Sequence, residues 1–160
     1  MSMNTSNALP STSSTQAIYA LLRKGLLEFV GPNGVSLKSI IGERMYVSRA
    51  PDQPTFPFAT LRLSEQQRTG EYQGMRKTAM MEIMLVGRPW LMLEDLEHGA
   101  DLVEQSLLNF HYKRDGLIFS RSSTRDTIPP MSSPADAEVC MVRIVANVII
   151  WPQYLTRYTT

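Results

Sequence analysis

The chain has 160 residues, 43% of them hydrophobic, and its 16 Lys and Arg against 15 Asp and Glu leave a formal net charge of +1. That length fits one domain with a single core that buries about 70% of the surface exposed by the unfolded chain, so no staple or metal is needed to hold it together. Balanced charge removes a global electrostatic basis for wrapping nucleic acid or adhering to an anionic membrane, and a lone cysteine, Cys140, excludes an internal disulfide and a cysteine-based zinc site.

Residues 1–14 carry no Lys or Arg and no apolar centre, so they read as a flexible polar arm and as neither a secretory signal nor a transit peptide. Ser13 and Gln16 have the spacing of a capping box, and Ile18, Leu21, Leu22, Leu26 and Phe29 then recur at helical spacing with Arg23, Lys24 and Glu28 on the other side. Gly31, Pro32, Asn33 and Gly34 stop this first helix. Lys38-Ser39 is not a phosphate loop, because no glycine precedes the lysine and no strand leads into it.

Met45 and Val47 begin a short strand, and Pro51, Pro54 and Pro57 keep the following connection extended and turning. A second strand over residues 58–63 alternates Ala59, Leu61 and Leu63 with Thr60 and Arg62. A third, over residues 76–86, places Ala79, Met81, Ile83 and Leu85 on one face; Thr78, Met80, Glu82 and Met84 form a second face expected to be covered as well. Residues 65–74 between them are too long for a tight turn and predict a protruding hairpin arm, with an ordinary solvated loop as the alternative.

Leu93, Leu96, Ala100, Val103 and Leu107 mark a second helix, whose early Glu94, Asp95 and Glu97 suit its positive end and need no catalytic explanation. His98 and His111 have no third partner in a metal-ligand spacing and read as solvated or capping residues. A short strand at residues 117–119 leads to residues 120–136, rich in Ser, Thr, Arg and Pro, which predict a second long loop. Residues 139–151 alternate as a central strand covered mostly on both faces, with Cys140 as core packing, and no apolar run reaches the ~18 residues a membrane helix needs.

These elements predict an α+β fold: one domain at residues 15–152 with a mostly antiparallel sheet of four or five strands, two main helices on one face, and a C-terminal tail at residues 153–160. Glu65, Arg68, Glu71, Tyr72 and Arg76 in the arm, and Arg121, Arg125 and Asp126 in the loop, are the candidate partner-contacting residues. Those in the loop could equally be solvated. No nucleophile–base pair, metal cluster or glycine-rich cofactor loop can be assembled, so neither an enzyme nor a cofactor is expected. A competing reading places Arg62, Arg68, Arg76, Lys77 and Arg88 on one basic face with Tyr72 for stacking on nucleic acid.

In order and spacing, residues 15–152 resemble the tail terminator or tail-completion proteins of long-tailed bacteriophages. The likeness is carried by the Arg49-Ala50-Pro51 to Pro57-Phe58-Ala59 entry, the strands at 78–85, 117–119 and 139–150, and the helix at 93–108. That resemblance implies a virion protein, assembled in the bacterial cytoplasm, that forms a homomeric ring, usually a hexamer. It would cap the tail tube, end its polymerisation and meet the head-side connector, with a sheath protein as a further partner in a contractile tail and DNA passing through the lumen without sequence-specific binding. A neighbouring neck or connector protein, or a tube-like subunit, would share the same pattern.

Overall fold

A computed structural model of the chain describes residues 14–64, 67–68, 77–89, 91–108, 116–119, 123–131 and 139–150. Helix α1, Ser14–Glu28, buries Ala17, Ile18, Leu22, Leu26 and Leu27. It ends in a tight turn in which the Gly31 amide donates to the Val35 carbonyl at 2.8 Å. Gly34 there has φ +77°, a left-handed conformation that glycine adopts without steric cost. Gly31 abuts the second long helix so closely that a Cβ would lie 2.7 Å from Leu102 Cδ2.

The turn leads into α2, Leu37–Ile41, a single helical turn that the periodicity of the sequence does not reveal. Ser36 caps it by accepting the Ser39 amide, and Leu37 and Ile41 plug the core. Lys38 and Ser39 thus lie within this short helix, and Lys38 pairs with Glu43 at 3.5 Å.

Strand β1, Met45–Val47, lies parallel to β2, Phe58–Leu63, with Met45 opposite Ala59. Among the described residues this is the one parallel pairing, the other ladders of the sheet being antiparallel. Arg23 on α1 anchors the edge by donating to the Glu43 and Met45 carbonyls at 2.8 and 3.0 Å. Arg44 Nε donates to the Pro57 carbonyl at 2.9 Å and closes the proline-rich connection.

Strand β3, Gln67–Arg68, pairs with the start of β4, Lys77–Gly87, so the base of the expected arm is a hairpin ladder. After α3, Leu93–Leu107, come β5, Leu117–Phe119, β6, Thr124–Met131, and β7, Val139–Ile150. The seven strands form one sheet, ordered β1-β2-β4-β7-β5, with β3 also on β4 and β6 also on β7. Its centre is the β4–β7 ladder, in register from Lys77 opposite Ile150 to Gly87 opposite Cys140.

Two expectations are corrected. The expected loop at residues 120–136 contains β6, an edge strand whose Pro129 and Pro130 fall at a register shift between Ile128 and Met131, where missing donors are tolerated. The second face of the sheet is not covered among the described residues. Helices and core occupy the side carrying Leu61, Ile83, Leu85, Val142 and Ile144, all fully buried, whereas on the other side Met80 is 51% exposed and Arg62 and Asn147 are exposed too. Only at one end does that side close, where Phe58 and Val86 are buried and Phe58 packs against the Tyr46 and Phe56 rings.

Burial on one face alone sets a sharp contrast between neighbours on one strand. Ile83→Ala is expected to cost about 2–5 kcal/mol by leaving a core cavity, and Met80→Ala, three residues away on the wet face, about 0.5 kcal/mol or less. Urea unfolding of the two variants measures both; equal losses would contradict the one-sided core.

Candidate functional site

Of the candidate contact residues, Arg68, Arg125 and Asp126 fall among the described residues, whereas Glu65, Glu71, Tyr72, Arg76 and Arg121 lie outside them. Arg68 is placed by its backbone, opposite Lys77. Arg125 and Asp126 are neighbours on β6, so the alternation of a strand sends them to opposite faces of the sheet.

Arg125 projects toward α3 on the helix side. Its Nη1 donates to Asp101 Oδ1 at 2.6 Å and Glu104 Oε1 at 3.2 Å; its Nη2 donates to Glu97 Oε2 and the Glu97 carbonyl, both at 2.8 Å. Two residues on, the Thr127 hydroxyl donates to Glu97 Oε1 at 2.9 Å. Burial on its own would lower the pKa of the guanidinium, but the Asp101 hydrogen bond and the charges of Asp101, Glu97 and Glu104 outweigh it and raise it. Residues 97, 101 and 104 stand at helical i, i+4, i+7 spacing, so one stripe of α3 presents three carboxylates to one arginine. Glu97 therefore has a specific partner beyond the favourable end of its helix. Arg125 thus binds its own chain through Asp101, Glu104 and Glu97.

Asp126 points to the open side and accepts from Arg143 Nη2 at 3.0 Å, while Arg143 Nη1 lies 3.7 Å from Glu82. Arg62 sits directly across the ladder from Glu82. Across β2, β4, β7 and β6 the open face therefore carries Arg62, Glu82, Arg143 and Asp126, alternating in sign. Arg143 Nε is buried there without a hydrogen-bond partner. Beside this band lies a depression of about 420 Å³ lined by Arg62, Ser64, Met80, Glu82, Thr124 and Arg143. It continues past Ser64 and Met80 into a second depression of about 430 Å³ bordered by Thr78, Asn147 and Ile149. Both are surface troughs on a sheet, suited to contact with another surface.

The remaining polar candidates do not converge. His98, half-buried, lines a cleft of about 220 Å³ with Asp101, Gln105 and the 31–35 turn, and His111 lies outside the described residues. Among the described residues no group of three or more His, Cys, Asp and Glu is placed to hold a metal ion. The single basic face does not form from its described members. Arg62 lies on the open face, Lys77 has the alternation of the core-facing positions of β4, and Arg88, some 36 Å along that strand by its rise per residue, stacks over the Phe56 ring at 4.6 Å. Cys140 is buried in the core as expected, its thiol within reach of the Gly87 and Arg88 carbonyls at 3.5 and 3.4 Å, and burial pushes its pKa up.

No described helix is long and apolar enough to cross a membrane. No protein-family model matches the chain, and no curated protein does.

Two outcomes follow from this geometry. Arg125→Ala is expected to lower stability by about 1–3 kcal/mol, since its charge-assisted hydrogen bonds are partly shielded from water, and Arg125→Lys to recover only part of it because the guanidinium fork is lost. Chemical denaturation reads both, and a loss below about 0.3 kcal/mol would mean the cluster is solvated. Cys140 is expected to resist Ellman's reagent in the native protein and to react at once in denaturant; rapid native reaction would contradict its burial.

Proposed function

We propose that the protein is a structural component of a phage tail: a ring-forming terminator that caps the head-proximal end of the tail tube, ends its polymerisation and offers a surface to the head-side connector. The observation that carries this reading is the uncovered sheet face. A sheet packed by helices on one side, with an exposed methionine, charges alternating in sign and shallow troughs on the other, suits a heterologous contact in which one subunit's exposed side meets a different surface of the next and the rotation closes a ring. Alternating signs choose the register of such a contact more than its strength. The ladder that pairs β3 with β4 fits the same picture, because a hairpin arm is one means by which a subunit reaches its neighbour.

In this reading the partners are further copies of the chain, six by the family pattern, the tube protein below, the neck or connector protein above, and a sheath protein where the tail contracts. DNA passes through the lumen without sequence readout. The protein acts by shape and association and performs no chemistry.

Mass photometry of the purified protein, alone and mixed with tail tubes, tests the reading. A closed ring of defined mass, or ring-sized density confined to one end of each tube, is the expected outcome. Electron microscopy of particles lacking the gene product should show overlong tails. A strict monomer that ignores tubes at high concentration, or tails of normal length without it, would overturn the terminator assignment.

A further inference from the structure

Strand β6 differs from every other long strand in what holds it. None of its residues 124–128 is a buried apolar side chain: Thr124, Asp126 and Thr127 are exposed, Arg125 is a partly buried cation and Ile128 is half-buried. On the same edge of β7, the much shorter β5 contributes the fully buried Leu117. The hydrophobic effect, which fixes β4 and β7 in place, therefore does little for β6. What remains is a ladder from Thr124 opposite Val145 to Ile128 opposite Met141, broken by a register shift across two prolines, plus polar ties on both faces. On the helix side those ties are Arg125 and Thr127 to the carboxylate stripe of α3; on the open side, Asp126 to Arg143.

We infer that β6 is a detachable strand, clipped to the sheet by Arg125, and that the β7 edge it vacates takes the same strand from a second copy of the chain. Among residues 124–128 the only apolar side chain that detachment uncovers is the half-buried Ile128, so the cost of opening is chiefly the ladder and the clip, well below that of unfolding the sheet. The vacated slot has a definite chemistry. Glu97, Asp101 and Glu104 line its helix side and Arg143 its open side, so it selects an extended segment with a cation and an anion at adjacent positions facing opposite ways. Arg125-Asp126 of another copy meets that requirement with the backbone pairing already found here. Exchange of identical elements between copies is a low-cost route to association, because each bond lost within one chain is regained between two. The inference rests on β6 alone and can be read on the monomer, so its failure and that of the ring reading are separable.

Hydrogen exchange of the full chain, followed by mass spectrometry at low and high salt, is the first readout. Amides of residues 124–128 are expected to exchange at least about tenfold faster than those at the centre of β4 and in α3, and faster still as salt screens the clip. Exchange of β6 in step with β4 and α3 at both salt concentrations would overturn detachment. The second readout uses a fluorescent peptide with the sequence of residues 122–131 added to the intact protein. Saturable binding that weakens with salt and drops at least about tenfold when the peptide carries Arg125→Ala is expected. No binding, or equal binding of the two peptides, would overturn strand exchange. Because that substitution sits in the peptide, the folding of the protein itself is untouched.

Discussion

The long antiparallel pairing of β4 with β7 is the constraint from which the rest of the architecture follows. Eleven residues of one strand lie in unbroken register with the other, and because side chains alternate, that register sends Ala79, Met81, Ile83 and Leu85 to the same side as Cys140, Val142, Ile144, Ala146, Val148 and Ile150. A slip of one residue would turn all of them to the wrong face. Once this apolar sheet surface exists, α1, α2 and α3 have one place to bury their stripes, and they form a single cluster with it. The opposite face inherits whatever the alternation leaves over: Thr78, Met80, Glu82 and Met84 from β4, and Met141, Arg143, Val145, Asn147 and Ile149 from β7.

That remainder is neither an ordinary wet surface nor a second core. It mixes half-buried aliphatic side chains with four charges of alternating sign, of which Arg143 pairs across strands with Glu82 and Asp126, a composition unlike that of a packed interior. The two ionic groups of the sheet edge divide the same labour between its sides. Arg125 ties β6 down to α3, and Asp126 continues the charged band on the exposed side. Within this band Arg143 has its terminal nitrogens facing Asp126 and Glu82, while its Nε is buried without a hydrogen-bond partner.

Much of the fold was legible in the residues because long amphipathic elements advertise themselves. Ile18, Leu22 and Leu26 in α1, Leu96, Ala100 and Val103 in α3, and the alternating runs of β4 and β7 all carry a period that only one kind of element satisfies. Where the period is too short or the residues too polar, the signal fails. A five-residue helix such as α2 completes barely one turn, and β1 is too brief to declare the direction in which it pairs. Strand β6 reads as a loop because Thr124, Arg125, Asp126 and Thr127 are polar toward both faces and prolines follow. The candidate site was half legible: Arg125 and Asp126 stood out as charges in an unusual segment, but their partners lie 17 to 28 positions away. The spacing of Glu97, Asp101 and Glu104 did hold a clue, three carboxylates on one helical stripe that a single cation could span. Coverage of the second sheet face was overestimated because methionines at alternate positions resemble a buried pattern while tolerating a wet one.

The central claim is that the open sheet face is a contact surface, covered when the protein is assembled. Hydroxyl-radical footprinting of Met80, carried out on the free chain and on its assembled form, addresses it at a residue that is half exposed in the monomer and flanked by the fully buried Met81 as an internal control. Strong oxidation of Met80 in the free chain and its loss on assembly, with Met81 protected throughout, is the predicted result. Undiminished oxidation of Met80 in every assembled state would contradict it.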